Sequence, residues 1–379
     1  MREIRKMKIK DFKLEEYFAQ HEFNVKYLLC SSDCESYAIG DLLTLERGAE
    51  KKFKDHWCGY TESHGSPELR REISNLYSNI NEENVIVFAG AEEGIFILMN
   101  VLLNKDDHII VQHPAYQSLY EIANSIGCEV TKWQLQDSDE WELSLDFLST
   151  IIRANTKLIV INFPHNPTGY LPDKNFYNGL LKIAQENDIQ VFSDEVYRFL
   201  EYDAHDRLPA AVDVYEKALS LGVMSKSFGL AGLRIGWIAC SDERLMQSLA
   251  SFKNYTTICN SAPSEFLATL ALRNKEKILA RNLTIIKSNL QLLDPFFEEN
   301  NRLLSWHKPK AGSIAFPKLL TSEKIENFCS DLLRREGVLL MPGTMYEFGD
   351  SYFRIGFGRK NMPEALMKFE NFLKNKVKS

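Results

Sequence analysis

The chain has 379 residues, of which 45% are hydrophobic and 26% charged, enough apolar material for a large core and too much for a disordered polypeptide. A net charge of -7 argues against a nucleic-acid surface, and no apolar run is long enough to span a bilayer. Seven cysteines without a C-x-x-C pair and eight histidines without an H-E-x-x-H pattern point to neither a disulfide framework nor a metal site. The start, Met1-Arg2-Glu3-Ile4-Arg5-Lys6, leads into no signal-peptide core, so a cytoplasmic location is expected. The lysine-rich tail, Lys374 to Ser379, reads as a frayed helix end.

From Val85 to Cys240, short β-rich runs alternate with helical periodicity. The runs are Val85–Phe88, His108–Val111, Glu129–Leu135, Leu158–Ile161, Ile189–Phe192, Ala218–Met224 and Ile235–Ala239, with helices predicted at 91–103, 116–126, 144–153 and 173–187. This alternation predicts an α/β fold built on a mostly parallel seven-stranded sheet with helices on both faces. A long helical pattern at 263–300, short strands near 313–316, 337–341 and 352–357 and a last helix at 363–376 predict a smaller α+β part. The expected division is a large domain over 51–270 and a small one formed by 1–50 and 271–379.

The residues that carry chemistry lie where strands end. In Ser225-Lys226-Ser227-Phe228-Gly229-Leu230-Ala231-Gly232-Leu233-Arg234, small residues flank a lysine with an arginine eight positions on. That setting suits a Schiff-base lysine that must be desolvated and deprotonated during turnover. Gly90-Ala91-Glu92 follows a strand and opens a helix, whose free N–H groups can receive a phosphate. Asn166 is held in the proline-bounded loop Asn162–Gly169 and can donate to a phenolic oxygen. Asp194 ends the next strand and can pair with a protonated ring nitrogen, and Tyr197 lies on the same side one turn later. Tyr116 can stack on a flat ring. An amine, an acid for a pyridine nitrogen, two donors for a phenolic oxygen, a stacking ring and a phosphate cup completed by Arg234 together describe pyridoxal 5'-phosphate.

Over essentially its whole length the sequence resembles the fold type I pyridoxal-phosphate enzymes, in particular the class I/II aminotransferases. The resemblance implies that Lys226 is the Schiff-base lysine, Asp194 the partner of the pyridine nitrogen, and Asn166 and Tyr197 the donors to the ring hydroxyl. It makes Gly90, Ala91, Glu92 and Arg234 the phosphate site and Tyr116 the stacking ring. Tyr60 resembles the tyrosine that reaches the phosphate of a neighbouring subunit, which implies a homodimer. Arg354 resembles the arginine that clamps a substrate α-carboxylate, for which its planar fork is suited. Two departures stand out. Val223 replaces a Ser or Gly three residues before the lysine, so Ser225 or Ser227 is expected to supply a missing phosphate hydroxyl. The segment Cys30–Ser36 lacks the glycine that approaches the substrate carboxylate in many relatives.

The implied reaction is transamination between an α-amino acid and a 2-oxo acid. The same constellation serves elimination, decarboxylation, cyclisation and oxidation. Phe163-Pro164-His165 together with Arg207-Leu208-Pro209-Ala210 also resembles fold type I enzymes that modify arginine, and Asp33 and Glu35 are candidates to face a polar or cationic side chain. Similar domains occur in transcription regulators, but about fifty residues precede the Gly59-Tyr60 segment and the acidic balance offers DNA no footprint. Gly356-Phe357-Gly358 is not a dinucleotide motif, since no third glycine or βα unit follows.

Overall fold

Seven strands form one sheet in the computed structural model: β1 (Val85–Phe88), β2 (His108–His113), β3 (Glu129–Gln134), β4 (Thr156–Asn162), β5 (Gln190–Asp194), β6 (Ala218–Val223) and β7 (Gly236–Cys240). The structure describes residues 9–136 and 140–377, so the Met1–Lys6 start and the last two residues of the lysine-rich tail lie outside it. β1, β2, β6 and β7 are buried along their whole length. Burial on both faces is why such strands carry continuous apolar runs instead of an alternation. The order across the sheet is β1-β7-β6-β5-β4-β2-β3. β3, β2, β4, β5 and β6 run parallel, and β7 is antiparallel to both its neighbours. The expected α/β architecture is the observed one.

The predicted crossover helices are present as Ala91–Leu102, Ser118–Ile126, Leu145–Ile151 and Lys174–Glu186. Successive residues of a strand face opposite sides. Ile109 and Val111 therefore pack in one core with Leu98, Leu119 and Ile122, while Ile110 packs in another with Tyr177, Leu180 and Leu181. Asp173 accepts from the N–H of Phe176 at 2.7 Å and starts the last of these helices with an ordinary N-cap.

The single helical stretch expected at 263–300 is two helices, Ala262–Arg273 and Lys275–Glu299. Asn274 breaks it: its Nδ2 donates to the Leu270 carbonyl at 3.0 Å and its backbone leaves helical geometry. Asparagine competes for backbone groups in this way.

The N-terminal part folds back over the C-terminal part. Tyr27–Leu28 pairs in parallel with Val338–Leu339, and the segment after it lies across the strand Phe353–Gly356. A Cβ on Gly356 would stand 1.8 Å from the Ser31 carbonyl oxygen, so only glycine admits this crossing. The glycine pair around Phe357 is thus a packing device that brings Ser32 and Arg354 into one place. The helix Lys13–His21 then covers the mouth of that place, held by Tyr17 Oη donating to the Leu340 carbonyl at 2.9 Å and by Lys13 N donating to Gln117 Oε1 at 3.1 Å. Among the described residues no helix is long and apolar enough to cross a membrane.

Candidate active site

The chain ends of β1, β2, β4, β5 and β6 lie along one edge of the sheet, where open α/β sheets bind ligands. Asn162, the last residue of β4, is in register with Asp194, the last of β5. Its side chain braces both: Nδ2 donates to the Asp194 carbonyl at 2.8 Å and Oδ1 accepts from the N–H of Asn166 at 2.7 Å. Asn166 is therefore held as firmly by Asn162 as by the prolines around it. Its own Oδ1 accepts from Tyr346 Oη at 3.1 Å and from Arg354 Nη1 at 3.2 Å. With the oxygen so committed, the Asn166 amide nitrogen is left as a donor.

Asp194 is buried, and one carboxylate oxygen accepts from the N–H of Val196 at 3.2 Å. Burial pushes its carboxyl up to about 7, opposed by the Val196 N–H and by Lys226. Tyr197 is 1% exposed, yet its hydroxyl has no hydrogen-bond partner among the described residues. The Ser32 side chain lies nearby but outside hydrogen-bonding geometry with it. Lys226 follows β6 and donates from Nζ to Ser32 Oγ at 2.8 Å. Burial lowers its pKa, with Asp33 pulling the other way and Arg354 adding to the decrease.

At the end of β1, Gly90 has φ +89 and opens the helix Ala91–Leu102 without any side-chain cap, which leaves first-turn N–H groups unmet. A Cβ there would lie 2.5 Å from Arg234 Nη2, so the guanidinium and the backbone together make a cup that a side chain would fill. Glu92 contributes only its backbone to this cup's floor. Its carboxylate accepts from Ser118 Oγ at 3.0 Å and is raised to about 7 by burial. Of the two serines expected to replace a hydroxyl at Val223, Ser227 is committed elsewhere, donating to the Val196 and Arg198 carbonyls at 3.0 and 2.7 Å. Ser225, buried beside the lysine, makes no side-chain hydrogen bond among the described residues and is the one that remains.

Arg354 is 1% exposed. Nε and Nη2 donate to the Cys30 carbonyl at 3.1 and 2.8 Å, and Nη1 also donates to Tyr346 Oη. No carboxylate lies within ion-pair distance of it among the described residues, an unusual state for a buried guanidinium and one that an anionic ligand would complete. Tyr116 Oη donates to Glu15 Oε1 at 2.6 Å, and the Tyr116 ring packs on Phe12 with centroids 4.9 Å apart. Phe18 lies with its ring 5.8 Å from the Arg354 guanidinium.

The structure thus brings together Lys226, Asp194, Tyr197, Asn166, Tyr116 and Arg354. It adds Asn162, which opens the Asn162–Gly169 loop, and Ser32, Tyr346 and the N-terminal pair Glu15 and Phe18, which no local motif announces. Tyr60 is 88% exposed on the surface of a single chain. Asp33 and Glu35 are engaged by other groups, although the Asp33 charge acts on Lys226. Asp33 accepts from Arg359 Nε and Nη2 at 3.0 and 2.8 Å, and Glu35 accepts from the N–H of Lys360 at 2.9 Å. Both are bound into the segment's own anchoring, which corrects the expectation that they meet a substrate side chain.

The orphaned Tyr197 hydroxyl, the Asn166 amide and the Gly90 cup fit a pyridoxal phosphate: the first two meet its phenolic oxygen and the last its phosphate. Comparison with known proteins agrees. The family model for aminotransferase class I and II matches residues 38–369. A PLP-dependent aminotransferase from Streptococcus suis has a similar structure, with a TM-score of 0.92 and 33% identity over 97% of this chain and 99% of that one. The PLP-dependent cyclase OrfR superposes with a TM-score of 0.91 at 25% identity, covering 99% of this chain and 100% of the other. Capreomycidine synthase from Streptomyces vinaceus is 27% identical over 351 residues, 91% of this chain and 88% of that protein. The chain belongs to the class I and II aminotransferases, pyridoxal-phosphate enzymes that move an amino group between an amino acid and an oxo acid.

Proposed function

We propose that the residues gathered at this sheet edge divide the work of amino-group transfer as follows. Pyridoxal phosphate, when bound, supplies an aldehyde for the amine and a ring that accepts carbanion charge. Gly90, Ala91, Glu92 and Arg234 hold its phosphate through backbone N–H groups and the guanidinium, with Ser225 as the added hydroxyl. Asp194 keeps a proton on the ring nitrogen. Asn166 and Tyr197 would donate to the ring oxygen, and Tyr116 would pack against the ring.

Arg354 would receive the α-carboxylate of the substrate and so orient the bonds at its α-carbon toward Lys226. Lys226, with a pKa lowered by burial, is the base whose Nζ takes the α-proton. Asp33 and Arg359 neutralise each other beside it, and Ser32 aims the amine. The observation that carries this reading is the buried Arg354 without a carboxylate partner, set among the same residues as the desolvated Lys226.

Tyr60 completes the phosphate site of a second copy, which makes the enzyme a homodimer. Trp57 at 79% exposed and Tyr255 at 89% are large aromatic side chains that a partner would cover. Residues 51–270 form the cofactor domain, and 1–50 with 271–379 the smaller one that carries Arg354. Free cysteines throughout suit a reducing compartment such as the cytoplasm.

Borohydride treatment followed by peptide mapping tests the central assignment. The reduced adduct is expected on Lys226, and an adduct on any other lysine would refute it. A second reading, elimination, cyclisation or oxidation on an arginine-like amino acid, is supported on the side of cyclisation by the likeness to the PLP-dependent cyclase OrfR. Mass analysis of the product separates the two, since transamination yields a 2-oxo acid and cyclisation retains the nitrogen.

A further inference from the structure

We propose that Glu15 selects the substrate's side chain and that the preferred donor is an α-amino acid with a cationic side chain, a guanidinium or an ammonium; this rests on the amino-group transfer proposed above. The helix Lys13–His21 turns one face to the site. Glu15, Phe18 and Glu22 are spaced i, i+3 and i+7 and so lie along one stripe, while Leu14 goes into the core and Tyr17 is tied to Leu340. At one end of the stripe Glu15 accepts from Tyr116, the ring that covers the cofactor face. In the middle Phe18 lies against Arg354. The stripe therefore roofs the space between the stacking ring and the carboxylate clamp. A substrate held by its α-carboxylate on Arg354 and its amine near Lys226 points its remaining large substituent into that space.

The charges around this space decide what it accepts. Glu15 carries no ion pair among the described residues, and a carboxylate with one oxygen on a phenol keeps acceptor capacity on the other. Its charge acts on both Lys226 and Arg354. Glu22, on the same stripe, has its pKa raised by burial, and the Glu15 charge adds to the rise. On the cationic side the groups assigned to the site are already engaged. Lys226 serves the amine, Arg354 the α-carboxylate and Arg234 the Gly90 cup, while Arg359 is paired in bidentate fashion with Asp33. None of these four is left to receive a second carboxylate. A dicarboxylic amino acid would bring its distal charge under Glu15 unpaired, whereas a cation there would form a charge-assisted hydrogen bond.

The test is spectral titration of the holoenzyme with L-arginine, L-lysine, L-alanine, L-glutamate and L-aspartate, repeated with Glu15→Gln and Glu15→Lys. The expected half-saturating concentration for arginine or lysine is at least about tenfold below that for glutamate or aspartate. Glu15→Gln should shrink that ratio by about tenfold, and Glu15→Lys should invert it. Equal or better binding of the acidic amino acids by the unaltered enzyme, or a ratio unmoved in Glu15→Gln, overturns the assignment while leaving amino-group transfer in place. If no amino acid changes the spectrum of an enzyme whose cofactor is bound to Lys226, both the assignment and the transfer reaction fall.

Discussion

Ser32 Oγ accepts a hydrogen bond from Lys226 Nζ across 194 residues of chain, and through it the N-terminal segment orients that amine. A hydroxyl acceptor stabilises the amine without adding charge, so it orients Nζ while burial keeps the pKa low. Replacing Ser32 with alanine should therefore leave cofactor binding intact and slow proton removal at the α-carbon by about three- to tenfold, the value of one neutral hydrogen bond. A single-turnover measurement with an α-deuterated amino acid checks this, because the isotope effect should rise as that step slows.

Arg354→Lys should lower kcat/KM toward α-amino acids by about 10²- to 10³-fold while the visible absorbance of the bound cofactor persists. The lysine keeps the charge but loses the fork and the tethers to Cys30 and Asn166. Steady-state kinetics beside an absorbance spectrum are the measurement. Loss of the absorbance together with activity would place Arg354 in cofactor binding instead.

Asp194→Asn should stabilise the cofactor-free protein while removing most activity. The buried carboxyl has its pKa raised from 3.8 to about 7. The folded state therefore binds a proton more tightly than the unfolded state. Stability is lost as pH rises from about 4 to about 7, and the loss stays constant above that. Asparagine keeps an acceptor for the Val196 N–H and has nothing to ionise. Urea unfolding at several pH values should show an advantage for the variant that grows across this window to about 2–4 kcal/mol.

Chains carrying Tyr60→Phe and chains carrying Lys226→Ala should each be poorly active alone, and mixing them should restore activity. A heterodimer holds one site with both native groups, so random exchange at equal ratio returns about a quarter of the native rate. No recovery after exchange demonstrated by mass spectrometry, or a fully active monomer, would overturn the shared-site reading.

The sheet and its lining were legible because burial on both faces imposes continuous apolar runs, and because Lys226, Asp194 and Asn166 sit at strand ends within short, distinctive phrases. The roof of the site was not. Glu15 and Phe18 belong to a nine-residue amphipathic helix of ordinary composition, and their role depends on a docking that no local pattern encodes. Asp33 misled for a related reason: a loop carboxylate looks available until Arg359, 326 residues away, closes on it. The break at Asn274 was hidden inside an otherwise regular period, where one side chain turned back on its own carbonyls decides the outcome.

Arg354 reaches the Cys30 carbonyl across 324 residues, and this has a bearing on how the molecule comes into being. The seven-stranded sheet is complete once residue 240 is available, but the clamp needs a strand from near the end of the chain laid against a segment from near its start. Contacts of such sequence separation form late, since the loop between them must first be closed. A chain emerging during synthesis therefore has a nearly finished sheet and lacks the Cys30–Arg354 crossing. In refolding, the return of helical signal should precede the return of saturable amino-acid binding, with the Cys30–Arg354 crossing as the final latch.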